Sequence, residues 1–157
     1  VLGLETELAV RTTDDRHPAR VRRLVAAVDA HMAPGGVLVG AGGGYGGLFA
    51  GITARYLALL ATDLPGDSAQ DAAARVTARK LVLASAEAAW DNRQSVDGLP
   101  LFAAFWDRTA EVPTVGGAAA KFVQGAVNSS EIPERDLSVQ VSGWMLMEAA
   151  HAVTRSG

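Results

Sequence analysis

Apolar residues in this chain recur at three- and four-residue intervals, and clusters of glycine and proline cut that pattern into helix-sized lengths. A pattern of this period cannot keep one face of a strand buried, so the fold must be built from packed helices. The first predicted helix starts at the very beginning, with Leu4, Leu8 and Thr12 on one face. It opens on Val1 with neither a methionine nor a capping residue before it, which is the expectation for a chain that begins inside a longer reading frame. A polar turn, Thr12 to His17, leads to Pro18 in the first turn of the next helix, with Asp14 or Asp15 as capping candidates. This second helix runs to about Met32, with Val21, Leu24, Val25 and Val28 as its buried stripe, and Pro34-Gly35-Gly36 ends it.

A glycine-rich stretch follows, from Gly35 to Gly47. A third helix is predicted from about Gly47 to Thr62, with Leu48, Ile52, Tyr56 and Leu59 at helical spacing. The breaker Asp63-Leu64-Pro65-Gly66-Asp67 separates it from a fourth, capped by Ser68 and ending near Asn92. In that helix Val76, Leu83 and Trp90 share a face, while a run of alanines allows close packing. Residues 93–133 are less regular. Asp97-Gly98 and Pro100 mark turns, Leu101, Phe102, Phe105 and Trp106 form an aromatic cluster that packs down, and residues 115–130 read as a weak helix or a long loop. Pro133 precedes a final helix, about Glu134 to Thr154, whose apolar residues lie on more than one side and predict burial on several sides. Five helices without a convincing sheet give an all-α class, layered as in a bundle or an α/α toroid.

At 157 residues the length favours one domain, 1–157, and 49% hydrophobic residues suffice for a core. A net charge of −3 gives no basic footprint for nucleic acid, and no apolar run reaches the length of a membrane span. Without cysteine there is no disulfide, thiolate metal site or cysteine nucleophile. His17, His31 and His151 are scattered and show no metal-ligand spacing, so neither a metal nor another cofactor is expected.

Four patterns invite a chemical reading. Gly42, Gly44 and Gly47 satisfy G-x-G-x-x-G, with the apolar run Val37-Leu38-Val39 before them and a helix after. A dinucleotide fingerprint needs a parallel sheet as well, and here a long helix occupies the place of the second strand. A flexible loop entering a helix is the preferred reading, with dinucleotide binding as a distant alternative. Adjacent Asp14 and Asp15 suit a solvated capping turn better than acid–base work. Ser85, Ser138 and Ser142 lie on helices, without a nucleophile elbow, and read as small residues at helix contacts. Phe102, Phe105 and Trp106 offer faces for a sugar ring, although core packing is the commoner role of such a cluster.

Three stretches, in this order and spacing, resemble glycoside hydrolase family 76, the α-1,6-mannanase family. They are Gly46-Gly47-Leu48-Phe49-Ala50-Gly51-Ile52-Thr53-Ala54-Arg55-Tyr56-Leu57-Ala58; Ala84-Ser85-Ala86-Glu87-Ala88-Ala89-Trp90-Asp91-Asn92-Arg93 with Leu99-Pro100-Leu101-Phe102; and Arg135-Asp136-Leu137-Ser138-Val139-Gln140-Val141-Ser142-Gly143-Trp144-Met145. The resemblance is closest to actinobacterial members and covers nearly the whole chain. It implies about half of an (α/α)6 toroid, the C-terminal part, made of helical hairpins.

The family's activity on α-1,6-linked mannans rests on two neighbouring aspartates in the other half. In retaining hydrolysis one attacks the anomeric carbon while the other protonates the leaving oxygen. Asp14-Asp15 matches neither the place nor the context of that pair, so the resemblance implies a chain that is silent alone. The family's loop reads Gly-Asp-Gly-Gly-x-Phe-Lys-Gly-Ile, and here Tyr45 stands for the aspartate and Ala50 for the lysine. Tyr45 and Phe49, and less strongly Trp106, are the residues expected to line the sugar cleft. The partners implied are mannan or another polysaccharide, and either the missing N-terminal half or a second copy of the chain. A carbohydrate-binding or protein-interaction module is the alternative to a partial enzyme domain.

Overall fold

The computed structural model describes residues 1–156. Five α-helices occur among them: α1 (Leu2–Arg11), α2 (Arg16–Met32), α3 (Phe49–Asp63), α4 (Ala69–Asp91) and α5 (Leu137–Arg155). Short loops join α1 to α2 and α3 to α4, which makes each pair an antiparallel hairpin. α1 packs on α3 and α3 on α5, while α2 packs on α4. The result is two layers, with α1, α3 and α5 in one and α2 and α4 in the other. The core lies between them, where Val21, Val25, Leu57, Leu60, Leu81, Val82 and Leu146 are buried. Each such side chain contributes about 1.5–3 kcal/mol by leaving water.

The helix boundaries follow local chemistry. The Ser68 hydroxyl accepts from the Asp71 amide at 3.1 Å and starts α4 as expected. Asp14, not Asp15, caps α2, because its carboxylate accepts the Arg16 amide at 3.0 Å and also grips the Arg16 guanidinium. The alternation of layers has a consequence for loops. The α1–α2 and α3–α4 turns share one end of the molecule, where Thr12–Asp15 and Pro65–Ser68 line a common groove. The glycine-rich segment and residues 92–136 lie at the other end, with the N-termini of α3 and α5.

Three expected faces are different in the structure. In α1, Leu4 is exposed, and the buried residues are Gly3, Glu5, Thr6 and Ala9. Burial of Glu5 is compensated by His17 Nδ1 at 2.7 Å and Arg20 Nη1 at 3.0 Å, both from α2. In α4, Val76 and Trp90 are exposed, and the small-residue stripe Ala74, Ala78, Ser85, Ala89 with Leu81 and Val82 is buried instead. Close packing of α4 on α2, α3 and α5 selects alanine over bulk there. α5 is buried along Val139, Ser142, Leu146, Ala149 and Val153, whereas Leu137 and Trp144 are exposed. Burial on several sides is thus corrected to burial on one side, because no element covers the rest of that helix.

The irregular region contains two hairpins that the all-helical reading lacked. β1 (Gln94–Val96) pairs antiparallel with β2 (Leu99–Leu101), and β3 (Lys121–Val123) with β4 (Ala126–Asn128). Their turns, Asp97-Gly98 and Gln124-Gly125, have positive φ at both central residues, the geometry that matches strand twist. The segment 115–130 is therefore a loop carrying a hairpin and not a helix. Gln140 fixes the aromatic stretch from α5. Its Oε1 accepts the Phe102 amide at 2.9 Å, and its Nε2 donates to the carbonyls of Phe102 and Glu134.

Candidate functional site

The glycine-rich segment reaches α3 through a 3-10 turn, Gly44–Leu48. Gly44 has a φ of +58°, and a side chain there would collide with the Val127 carbonyl of β4. Only glycine lets the turn and the hairpin approach so closely. The Gly44 amide donates to Asp136 Oδ2 at 2.7 Å. Asp136 is buried at the start of α5, and its carboxylate also accepts the Ser130 amide and hydroxyl. One carboxylate therefore ties together the turn, the end of the hairpin segment and α5.

This knot forms the floor of a cleft of about 480 Å³. Tyr45 and Leu48 from the turn, Val127 from β4, and Leu137 and Ser138 from α5 line it. Tyr45 is 60% exposed, so a ring face is open to a ligand. The Ser138 hydroxyl is buried and has no hydrogen-bond partner among the described residues. Arg135 edges the cleft, with its guanidinium donating to the Gly117 carbonyl. The chemistry on offer is an aromatic face, an apolar wall and the remaining guanidinium donors of Arg135. A neutral polyhydroxylated ligand suits that set better than an ion.

The residues expected to line the cleft do not all reach it. Tyr45 does. Phe49 is exposed on the first residue of α3 but is not among the lining residues. Trp106 is 2% exposed and lies in the core, so its ring is closed to a sugar. Asn92 Nδ2 donates to its carbonyl at 3.0 Å and holds that segment in place. Trp106 packs in the core, and so does Phe102, the commoner role of such a cluster. Ala50 is buried against the core and is not among the residues lining this cleft. Ser85 and Ser142 accept the buried amides of Leu38 and Gly51, the helix-contact role expected of them.

Asp14 and Asp15 stand at the short-loop end, away from the cleft. The Arg16 guanidinium beside Asp14 holds its carboxyl well below the usual carboxylate range. An aspartate so engaged is a cap, not a proton donor. The G-x-G-x-x-G stretch also lacks the context a dinucleotide needs. No strand precedes Gly42 among the described residues, and the amide at Gly44 is already taken by Asp136. The sequence reading missed Asp136 and the β3–β4 hairpin. The Gln-Gly pair between short apolar runs was the available signal for the hairpin.

Helical hairpins in two layers, with long loops and a cleft gathered at one end, give this chain the fold of part of a helical toroid, like that of glycoside hydrolase family 76 enzymes. Among solved structures it is similar to the GH76A α-1,6-mannanase of Salegentibacter sp. HEL1_6, with 28% identity and a TM-score of 0.71. It is equally similar, at 28% identity and a TM-score of 0.70, to an inactive variant of that enzyme carrying aspartate-to-asparagine changes at two consecutive positions, in complex with α-1,6-mannotriose. A variant with alanine at both positions, in complex with α-1,6-mannotetrose, gives 27% identity and a TM-score of 0.70. Each match covers 97% of this chain and 38% of the other chain. No protein-family model and no curated protein sequence matches the chain.

Proposed function

We propose that this chain belongs to glycoside hydrolase family 76, that it supplies the C-terminal part of an α-1,6-mannan-binding toroid, and that it is catalytically silent by itself. The observation that carries the reading is the Tyr45 cleft at the N-termini of α3 and α5, within a fold shared with enzymes crystallised on α-1,6-mannose oligomers. The aromatic and largely apolar lining of the cleft, edged by Arg135, supports a sugar ligand. Silence follows from the carboxylates. Asp136 is saturated by internal donors, and Asp14-Asp15 faces away from the cleft. In this reading the acid and the nucleophile come from the remainder of the toroid.

The test is a pair of measurements on the purified 157-residue chain. Calorimetric titration with α-1,6-mannotetrose is expected to show weak, specific binding, and incubation with α-1,6-mannan to release no oligomers. Absence of binding overturns the sugar reading, and release of oligomers overturns silence. A second reading, a protein-interaction module, draws support from the exposed Leu137 and Trp144 on α5. It predicts association of the chain with itself or with the missing part of the toroid. A strict monomer at high concentration that also ignores the missing part counts against it.

A further inference from the structure

We infer that Phe122 on the β3–β4 hairpin is a second sugar-stacking residue, extending the cleft at Tyr45 into a shelf that spans more than one residue of a neutral hexose chain. The inference rests on the proposed function and adds a residue to it. Phe122 pairs directly with Val127 across the hairpin, so the two side chains share one face. Val127 lines the cleft, and Phe122 lies beyond the lining residues, on the outer strand. β4 abuts the Tyr45-bearing turn at Gly44, and β3 is the strand beyond it. Tyr45, Val127 and Phe122 therefore follow one another outward from α3.

Phe122 is 72% exposed and packs on no part of the core. With the exposed Tyr45, Val127 and Leu137 around the cleft, the Phe122 ring on β3 extends an open apolar patch, and such a patch marks a binding site. The type of ligand follows from charge. The Asp136 carboxylate is consumed by internal donors, while the exposed Arg135 guanidinium spends one donor on the Gly117 carbonyl and keeps the others for ligand oxygens. Aromatic faces beside the remaining Arg135 donors fit the apolar face and the hydroxyl edge of a pyranose.

The experiment is titration of the full chain with α-1,6-mannotriose and α-1,6-mannotetrose, comparing the parent with Phe122→Ala, Phe122→Tyr and Tyr45→Ala. Loss of one stacking contact is expected to weaken binding roughly three- to tenfold. Phe122→Ala should show that loss, more for the longer oligomer, with an unchanged Tm, and Phe122→Tyr should restore affinity. Unchanged affinity in Phe122→Ala beside weakened binding in Tyr45→Ala overturns the role of Phe122 and leaves the sugar reading standing. A loss that Phe122→Tyr fails to restore also overturns it. Absence of binding by the parent chain overturns both.

Discussion

Gly51 shows how tightly single residues are specified. Its amide donates to the Ser142 hydroxyl at 2.8 Å, and a Cβ at position 51 would lie 2.7 Å from the Ser142 Cα. Alanine gains about 1 kcal/mol in helix propensity but forces two helix backbones apart. The steric cost is the larger, since the obstacle is backbone. Gly51→Ala is expected to lower stability by about 1–3 kcal/mol, read from the urea midpoint. Glu5 predicts a pH effect. The hydrogen bond from His17, and next that from Arg20, hold its carboxyl below the ordinary value of 4.5. A folded-state value lower than the unfolded one contributes stability above that pH and loses it as pH falls through and below it. Asp14, 3.9 Å from His17 Nε2, is the other acidic group facing this cluster. Glu5→Gln should flatten the decline of the urea midpoint between about pH 5 and pH 3; an unchanged slope would show that Glu5 contributes none of it.

At the scale of elements, α4 offers the clearest test of capping. Ser68→Ala removes the acceptor for the Asp71 amide and a partner of the Asp71 carboxylate, which Arg22 of α2 also holds. A loss of about 1 kcal/mol is expected, visible as a lower Tm. Such start signals were legible in the sequence, and so were the five helices, because caps and breakers act within a few residues. Faces were less legible. Val76, Leu83 and Trp90 form a regular apolar row, yet the alanine row is buried, since closeness of approach and not residue size decides which side of α4 packs. Tyr45 was expected at a cleft only through the family resemblance of the glycine-rich loop, and it lines the cleft between that loop and α5. The hairpins were not, although Asp97-Gly98 and Gln124-Gly125 carried the turn signature, because three-residue strands leave little alternation to read. Asp136 could not be found locally, as its partner at Gly44 lies 92 residues away.

At the scale of the molecule, the layers leave one side of the fold uncovered. Trp144 is 66% exposed, and with Trp90, Pro100, Phe102 and Met147 it borders an apolar groove of about 470 Å³ between α4 and α5. In a longer toroid the same two helices would present that groove to the next helical hairpin. Trp144→Ser is therefore expected to leave the Tm within about 1 °C while reducing concentration-dependent association in sedimentation velocity, since surface substitutions shift stability little. A fall of several degrees would instead make Trp144 part of the core.

The Asp136 knot also has a bearing on the order of events. It links residues 92 positions apart, and the Gly51–Ser142 bond spans 91. The cleft therefore exists only while α5 is docked, and any opening that frees α5 dissolves it. Occupancy and docking then become one linked equilibrium, in which any ligand of the cleft would hold α5 in place. Amide hydrogen exchange would reveal it: saturating α-1,6-mannotetrose should slow exchange along the whole of α5, including turns distant from the ligand, and leave α1 and α2 unchanged. Protection confined to residues at the cleft would show that α5 stays docked independently of its occupant.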